Sequence, residues 1–229
     1  MQYPNLQKLN GFSKQEVFFD EYKPHLDELL KIVKAQGEPL EGNIFYAHHM
    51  QNPGDVLVKN YLPKRLSLAA FAMAHNNIME IGFNAGFSAL LMLTANPNLH
   101  LVYVDICEHS YTLPCYDYLY SVFGNRIQLV QGDSTKVLVN ALTIYPQITG
   151  YIIDGGHSLP VAEQDLQNVL QYANKNAVLC FDDSDFPELR LMLDIYMMAG
   201  HLTPIWDPYA IVQNETQMFF KISCNNLEK

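Results

Sequence analysis

From Pro63 onward the chain settles into a regular alternation of short apolar runs and amphipathic stretches. Five runs have β-like character: "NIMEI" at 77–81, "LHLVYVD" at 99–105, "RIQLVQ" at 126–131, "GYIID" at 150–154 and "AVLCFD" at 177–182. Each is short, nearly all apolar and bounded by polar or turn-forming residues, as expected of strands buried on both faces. The stretches between them repeat at helical spacing. "PKRLSLAAFAMAH" predicts one helix, and the clearest is "SLPVAEQDLQNVLQYAN". There Ser158 is the N-cap, Pro160 lies in the first turn, and Ala162, Leu166, Val169, Leu170 and Ala173 share one face. This alternation predicts an α/β fold with a mostly parallel, doubly wound sheet between two layers of helices. The closing segment, "GHLTPIWDPYAIVQNETQMFFKIS", predicts two more strands that give the seven-stranded sheet an antiparallel edge.

Residues 1–60 follow a different pattern. Two polar, helix-like pieces lie between Ser13 and Gly37, where Ser13 and Glu16 have capping-box spacing and Pro24 can restart a helix after a kink. A loop-rich stretch follows, "GEPLEGNIFYAHHMQNPGD". The expectation is a helical arm or lid over 1–60 attached to a ligand-binding domain over 61–229. Such an arm covers an acceptor pocket or forms a contact between copies of a homo-oligomer. His48 and His49 either line the entrance or lie in an exposed loop.

Composition narrows the partners. A chain of 229 residues with 49% hydrophobic content fills one sizeable core. The formal charge of −10 argues against nucleic acid, whose phosphates call for a basic surface. Four cysteines show no C-x-x-C spacing, and Cys180 lies inside an apolar run, which suits a reduced, cytoplasmic protein. The first residues lack the layout of a signal peptide, and no segment approaches the ~20 apolar residues of a membrane span. No membrane partner is expected.

In open α/β sheets, ligands sit beyond the carboxyl ends of the strands. Chemistry-bearing residues follow each run here: Glu80 to Ser88 the first, Asp105 the second, Asp133 and Ser134 the third, Asp154 the fourth, Asp182 and Asp183 the fifth. Gly82 and Gly86 let the backbone approach a ligand, but their spacing is not the G-x-G-x-x-G of dinucleotide sites. Asp105 is placed to accept hydrogen bonds from a ribose diol. The alternative is that the glycines make a tight turn and Asp105 merely ends a strand.

In order and approximate spacing, "EIGFNAGFSALLML", "VYVDI", "LVQGDS", "YIIDGGHS" and "LCFDDS" resemble class I S-adenosylmethionine-dependent methyltransferases with a Rossmann-like sheet. The likeness is to the metal-dependent O-methyltransferase branch that includes catechol, caffeoyl-CoA and antibiotic-sugar enzymes, and it spans about residues 64–222. It implies that Glu80, Gly82, Asn84, Gly86 and Ser88 cradle the methionine portion of S-adenosylmethionine, that Asp105 holds the ribose, and that Asp133 with Ser134 meets the adenine edge. Asp154 belongs to both the cofactor pocket and the metal site.

If the fourth and fifth runs are neighbours, Asp154, Asp182 and Asp183 converge, because adjacent strands lie ~4.8 Å apart. Three carboxylates that close need protons or a cation between them, and a hard divalent ion, Mg²⁺ first, is the expectation. The alternative is that Asp183, Ser184 or Asp185 caps the helix opened by "FPELR". His157, three residues after Asp154, is the candidate general base for a hydroxyl acceptor, beside a space left by Gly155 and Gly156. The catechol enzymes carry lysine at this position, whereas histidine is similar to the sugar enzymes, so the acceptor stays open. Competing expectations are a cofactor-binding protein without turnover and a metal-dependent hydroxylase or hydrolase.

Overall fold

The computed structural model describes residues 19–45, 61–174, 176–205 and 216–223. His48 and His49, the capping box at Ser13 and the boundary at residue 60 lie outside them. Helix α1 (Phe19–Gln36) is followed after a gap by α2 (Leu62–Ala74), β1 (Asn77–Ile81), α3 (Phe87–Ala95), β2 (His100–Asp105) and α4 (Thr112–Phe123). Then come β3 (Ile127–Gln131), α5 (Ser134–Ile144), β4 (Gly150–Ile153), α6 (Leu159–Tyr172), β5 (Val178–Phe181), α7 (Pro187–Met198), β6 (Leu202–Pro204) and β7 (Met218–Ile222).

The seven strands lie in the order β3-β2-β1-β4-β5-β7-β6. Strands β1 to β5 pair in parallel, while β7 runs antiparallel to both β5 and β6. The order reverses between β1 and β4, and there a crevice opens at the carboxyl ends.

Side-chain alternation sorts the core into two layers. Ile78, Leu101, Ile152 and Cys180 face α1 to α4, whereas Met79, Val102, Tyr151 and Leu179 face α5 to α7. The N-terminal helix is part of this core: Tyr22, Leu26, Leu29, Leu30 and Val33 are buried in the same cluster as α2, α3 and α4. Pro24 lies inside α1 and does not divide it, contrary to the expected restart. Its ring removes a single N–H from the helix ladder, and the buried face on both sides of it keeps α1 whole. Among the described residues no helix is long and apolar enough to cross a membrane.

Candidate functional site

Close backbone packing shapes the crevice at the sheet reversal. Gly82 has φ +100°, and a Cβ there would stand 2.0 Å from the carbonyl oxygen of Asp154, so the chains leaving β1 and β4 touch with no room for a side chain. Gly86, at φ +76°, is the N-cap of α3, which begins without a side-chain cap. The amides of its first turn are left to face a ligand.

Asp105 ties two loops together. Its Oδ2 accepts the N–H of Phe83 (2.6 Å) and of Asn84 (3.0 Å), and its Oδ1 accepts the N–H of Cys107 (2.6 Å). The acid expected at the ribose therefore also fixes the floor beneath it. Glu80 points from β1 toward α3, is 1% exposed, and accepts a hydrogen bond from the Ser88 hydroxyl at 3.1 Å. Burial pushes its carboxyl up to about 8. Gly82, Asn84 and Gly86 thus form the loop itself, with Glu80 and Ser88 paired beneath it.

Asp133 and Ser134, the residues expected at an adenine edge, follow β3, but partners within the protein engage their side chains. Asp133 caps α5 by accepting from the N–H and hydroxyl of Thr135 (3.0 and 2.6 Å) and lies 2.7 Å from Lys136. Its hydrogen bond with Lys136, then that with Thr135, holds its pKa below the usual value. Ser134 donates to Asp165 on α6 at 2.9 Å. Asp165 is fully buried, which pushes its carboxyl up to about 6.

The acids converge as the strand spacing requires. Ile153 pairs with Phe181, which sets Asp154 and Asp182 side by side one residue further on. Burial, then the neighbouring Asp182, raises the Asp154 carboxyl well above its ordinary range. His157 Nε2 lies 2.8 Å from Asp183 Oδ2, and its ring stacks on Phe186. This hydrogen bond raises the histidine pKa. Capping is not what the acids do: the N-cap of α7 is Phe186, without a side-chain cap. Nor do Gly155 and Gly156 leave an open space, since Cβ atoms there would lie 3.0 Å from Ile81 and 3.1 Å from Val161.

Sequence reasoning missed Lys64. It lies in the first turn of α2, which passes over the ends of β4 and β5, and its ammonium forms an ion pair with Asp182 Oδ2. The two side chains are 15% and 1% exposed. Burial opposes the lysine's charge, but Asp182 and then Asp154 outweigh it and raise its pKa.

This ion pair changes the donor set for a divalent ion. Ligand atoms of Asp154, His157 and Asp183 lie within 4.8 Å of one another and fit such an ion, while Asp182 is engaged by Lys64. The expected trio of Asp154, Asp182 and Asp183 meets at the ends of β4 and β5, with Asp182 held by Lys64 and Asp183 by His157.

Residues 38–45 lie against the loops after β1 and β2. Glu38 accepts from the N–H and hydroxyl of Ser110 and contacts His109, while Glu41 meets His109 Nε2 at 2.7 Å. Asn84 donates its amide to the Glu41 carbonyl, and Arg65 donates to that of Ile44 at 2.6 Å. Three non-glycine residues just past the carboxyl ends of β1, β2 and β5, Asn84, Cys107 and Asp183, have left-handed backbones with φ of 50°, 58° and 51°. Side chains rarely adopt this region, and it stores strain near functional sites.

Residues 79–184 match the family model described as a methyltransferase domain. No curated protein matches the sequence. Among solved structures, the chain is similar to CalS11, a TDP-rhamnose 3′-O-methyltransferase of calicheamicin biosynthesis, at 17% identity over 93% of this chain and 98% of that one, with a TM-score of 0.58. An O-methyltransferase from Bacillus cereus in complex with SAH is similar at 13% identity over 94% and 95%, with a TM-score of 0.56. The MycE methyltransferase of mycinamycin biosynthesis, in complex with Mg and SAH, is similar at 13% identity over 85% and 54%, with a TM-score of 0.50. Residues 79–184 thus carry a methyltransferase domain, set in the seven-stranded sheet whose order reverses between β1 and β4.

Proposed function

We propose that the chain transfers the methyl group of S-adenosylmethionine to a hydroxyl of a small molecule of the sugar, polyol or catechol type. The observation that carries this reading is the His157–Asp183 pair at the carboxyl end of the sheet, beside the loop of Gly82 and Gly86. With Nε2–H donated to Asp183, the other ring nitrogen of the neutral imidazole keeps its lone pair and can act as a base. The acceptor oxygen attacks the methyl carbon, the carbon–sulfur bond breaks to give S-adenosylhomocysteine, and the hydroxyl proton passes to His157. The O-methyltransferases of similar fold, one of them acting on a nucleotide sugar, support a hydroxyl acceptor.

Divalent-ion dependence is part of the proposal, supported by the donor set of Asp154, Asp183 and His157 and by the Mg in the MycE complex. When bound, such an ion would act as a Lewis acid that lowers the pKa of the acceptor hydroxyl. Asp154 and Asp183 would hold it when His157 serves as base.

Incubation with methyl-labelled S-adenosylmethionine and a panel of glycosides, polyols and catechols, with and without chelator, tests the reading. Label is expected in an acceptor ether, with less of it in chelator. Binding of S-adenosylhomocysteine without label transfer to any acceptor would leave a cofactor-binding protein instead.

A further inference from the structure

We propose that Lys64 is the resident cation of the acidic cluster and competes with a divalent ion for Asp182. The inference deepens the metal reading above and rests on it. Three carboxylates, those of Asp154, Asp182 and Asp183, meet at the ends of two adjacent strands. Their crowding was the reason to expect a metal. The structure meets part of that need from within: the Lys64 ammonium is paired with Asp182, and His157 is paired with Asp183.

The lysine pair is buried and the histidine pair is not. Lys64 and Asp182 side chains are 15% and 1% exposed, against 58% and 23% for His157 and Asp183. A buried ion pair is poorly screened, and removing one partner strands the other charge. Asp182 also shares a side-chain hydrogen bond with Asp154, whose carboxyl it helps to raise, so it stands between Lys64 and the rest of the cluster. A carboxylate shared in this way is free to turn to an ion once its lysine is removed. With the lysine present, a divalent ion drawn onto Asp182 meets a fixed positive charge on the same carboxylate. Repulsion at that range in a partly desolvated site is strong.

Lys64 reaches the cluster from the first turn of α2, just after Pro63, and its pair with Asp182 ties that turn to the end of β5. Charge repulsion is therefore built into the fold at the one acid of the three that is fully enclosed. Asp154 and Asp183 are left to hold an ion, and Asp182 serves as the anchor of the lysine.

The test is Mn²⁺ binding, followed by calorimetry and by the loss of free-ion electron paramagnetic resonance, with no acceptor present. Lys64→Met is expected to bind Mn²⁺ at least about tenfold tighter than the unaltered chain, the scale of losing a close like charge. Lys64→Arg, which keeps the charge, stays within about threefold of the unaltered chain by the same reasoning. Adding Asp182→Asn to Lys64→Met removes the gain. Lys64→Gln, which can still hydrogen-bond Asp182, replaces the methionine variant if that one fails to fold. Neutral variants that bind no tighter than the unaltered chain, or an arginine variant that binds as tightly as they do, overturn the proposal. These readouts need no methyl transfer, so an inactive protein that shows the Lys64 effect would refute the proposed activity and not this inference.

Discussion

His157 shows how one contact sets a measurable property. Its hydrogen bond to Asp183 raises its pKa above the ordinary ~6.5, so the imidazole stays protonated to a higher pH than a free one. A protonated ring cannot take the acceptor proton. The rate at saturation is therefore expected to fall as pH is lowered through a value above ~6.5, and Asp183→Asn is expected to move that inflection down toward it. Rate–pH profiles of the two proteins decide the matter: an inflection that does not move would detach the histidine from the proton transfer. The charge of Asp182 adds to the shift after the contact with Asp183.

At the scale of elements, the loop after β1 depends on having no side chain at Gly82. Gly82→Ala forces a Cβ into the Asp154 carbonyl at a backbone angle that side chains avoid, and is expected to cost about 3 kcal/mol or more in urea unfolding. Gly200→Ala is the comparison, with φ +77° but nothing within 4 Å, and is expected to cost only the ~1–2 kcal/mol of the left-handed backbone. Equal losses would mean that the contact between the β1 and β4 loops adds nothing. The strands were legible in the sequence because buried parallel strands are written as short unbroken apolar runs, and β1 lies at 77–81 as read. The convergence of Asp154 with Asp182 was legible too, since it follows from neighbouring strands. Lys64 was not, because nothing in the spacing of "PKRLSLAAFAMAH" says over which strand ends the helix begins. The His157–Asp183 contact was hidden for a similar reason: the left-handed turn at Asp183 aims its side chain, and periodicity does not report a single backbone angle.

The molecule as a whole is a sheet between two helical layers, and α1 belongs to one of them. Leu29 of α1 is fully buried in the cluster shared with α2, α3 and α4. Leu29→Ala is expected to destabilise the whole protein by roughly 2–5 kcal/mol, the range for a core leucine, in a single cooperative transition. An unchanged main transition preceded by a small early one would instead make α1 a separate appendage. The part of the chain that looked like an arm was hard to place because its polar face dominates the sequence, while the apolar face that fixes it to the core repeats only at helical spacing.

Asn84, Cys107 and Asp183 each hold a left-handed backbone where the chain turns away from β1, β2 and β5. Glycine would relax all three turns, yet it would also erase the amide that reaches Glu41 and the carboxylate that holds His157. Selection for heat resistance alone thus pulls these positions toward glycine, while selection for turnover holds two of them where they are. Cys107 has the least chemistry to lose, so in a lineage drifting toward greater robustness it is the turn expected to yield first, and the state of that one position would record which pressure has prevailed.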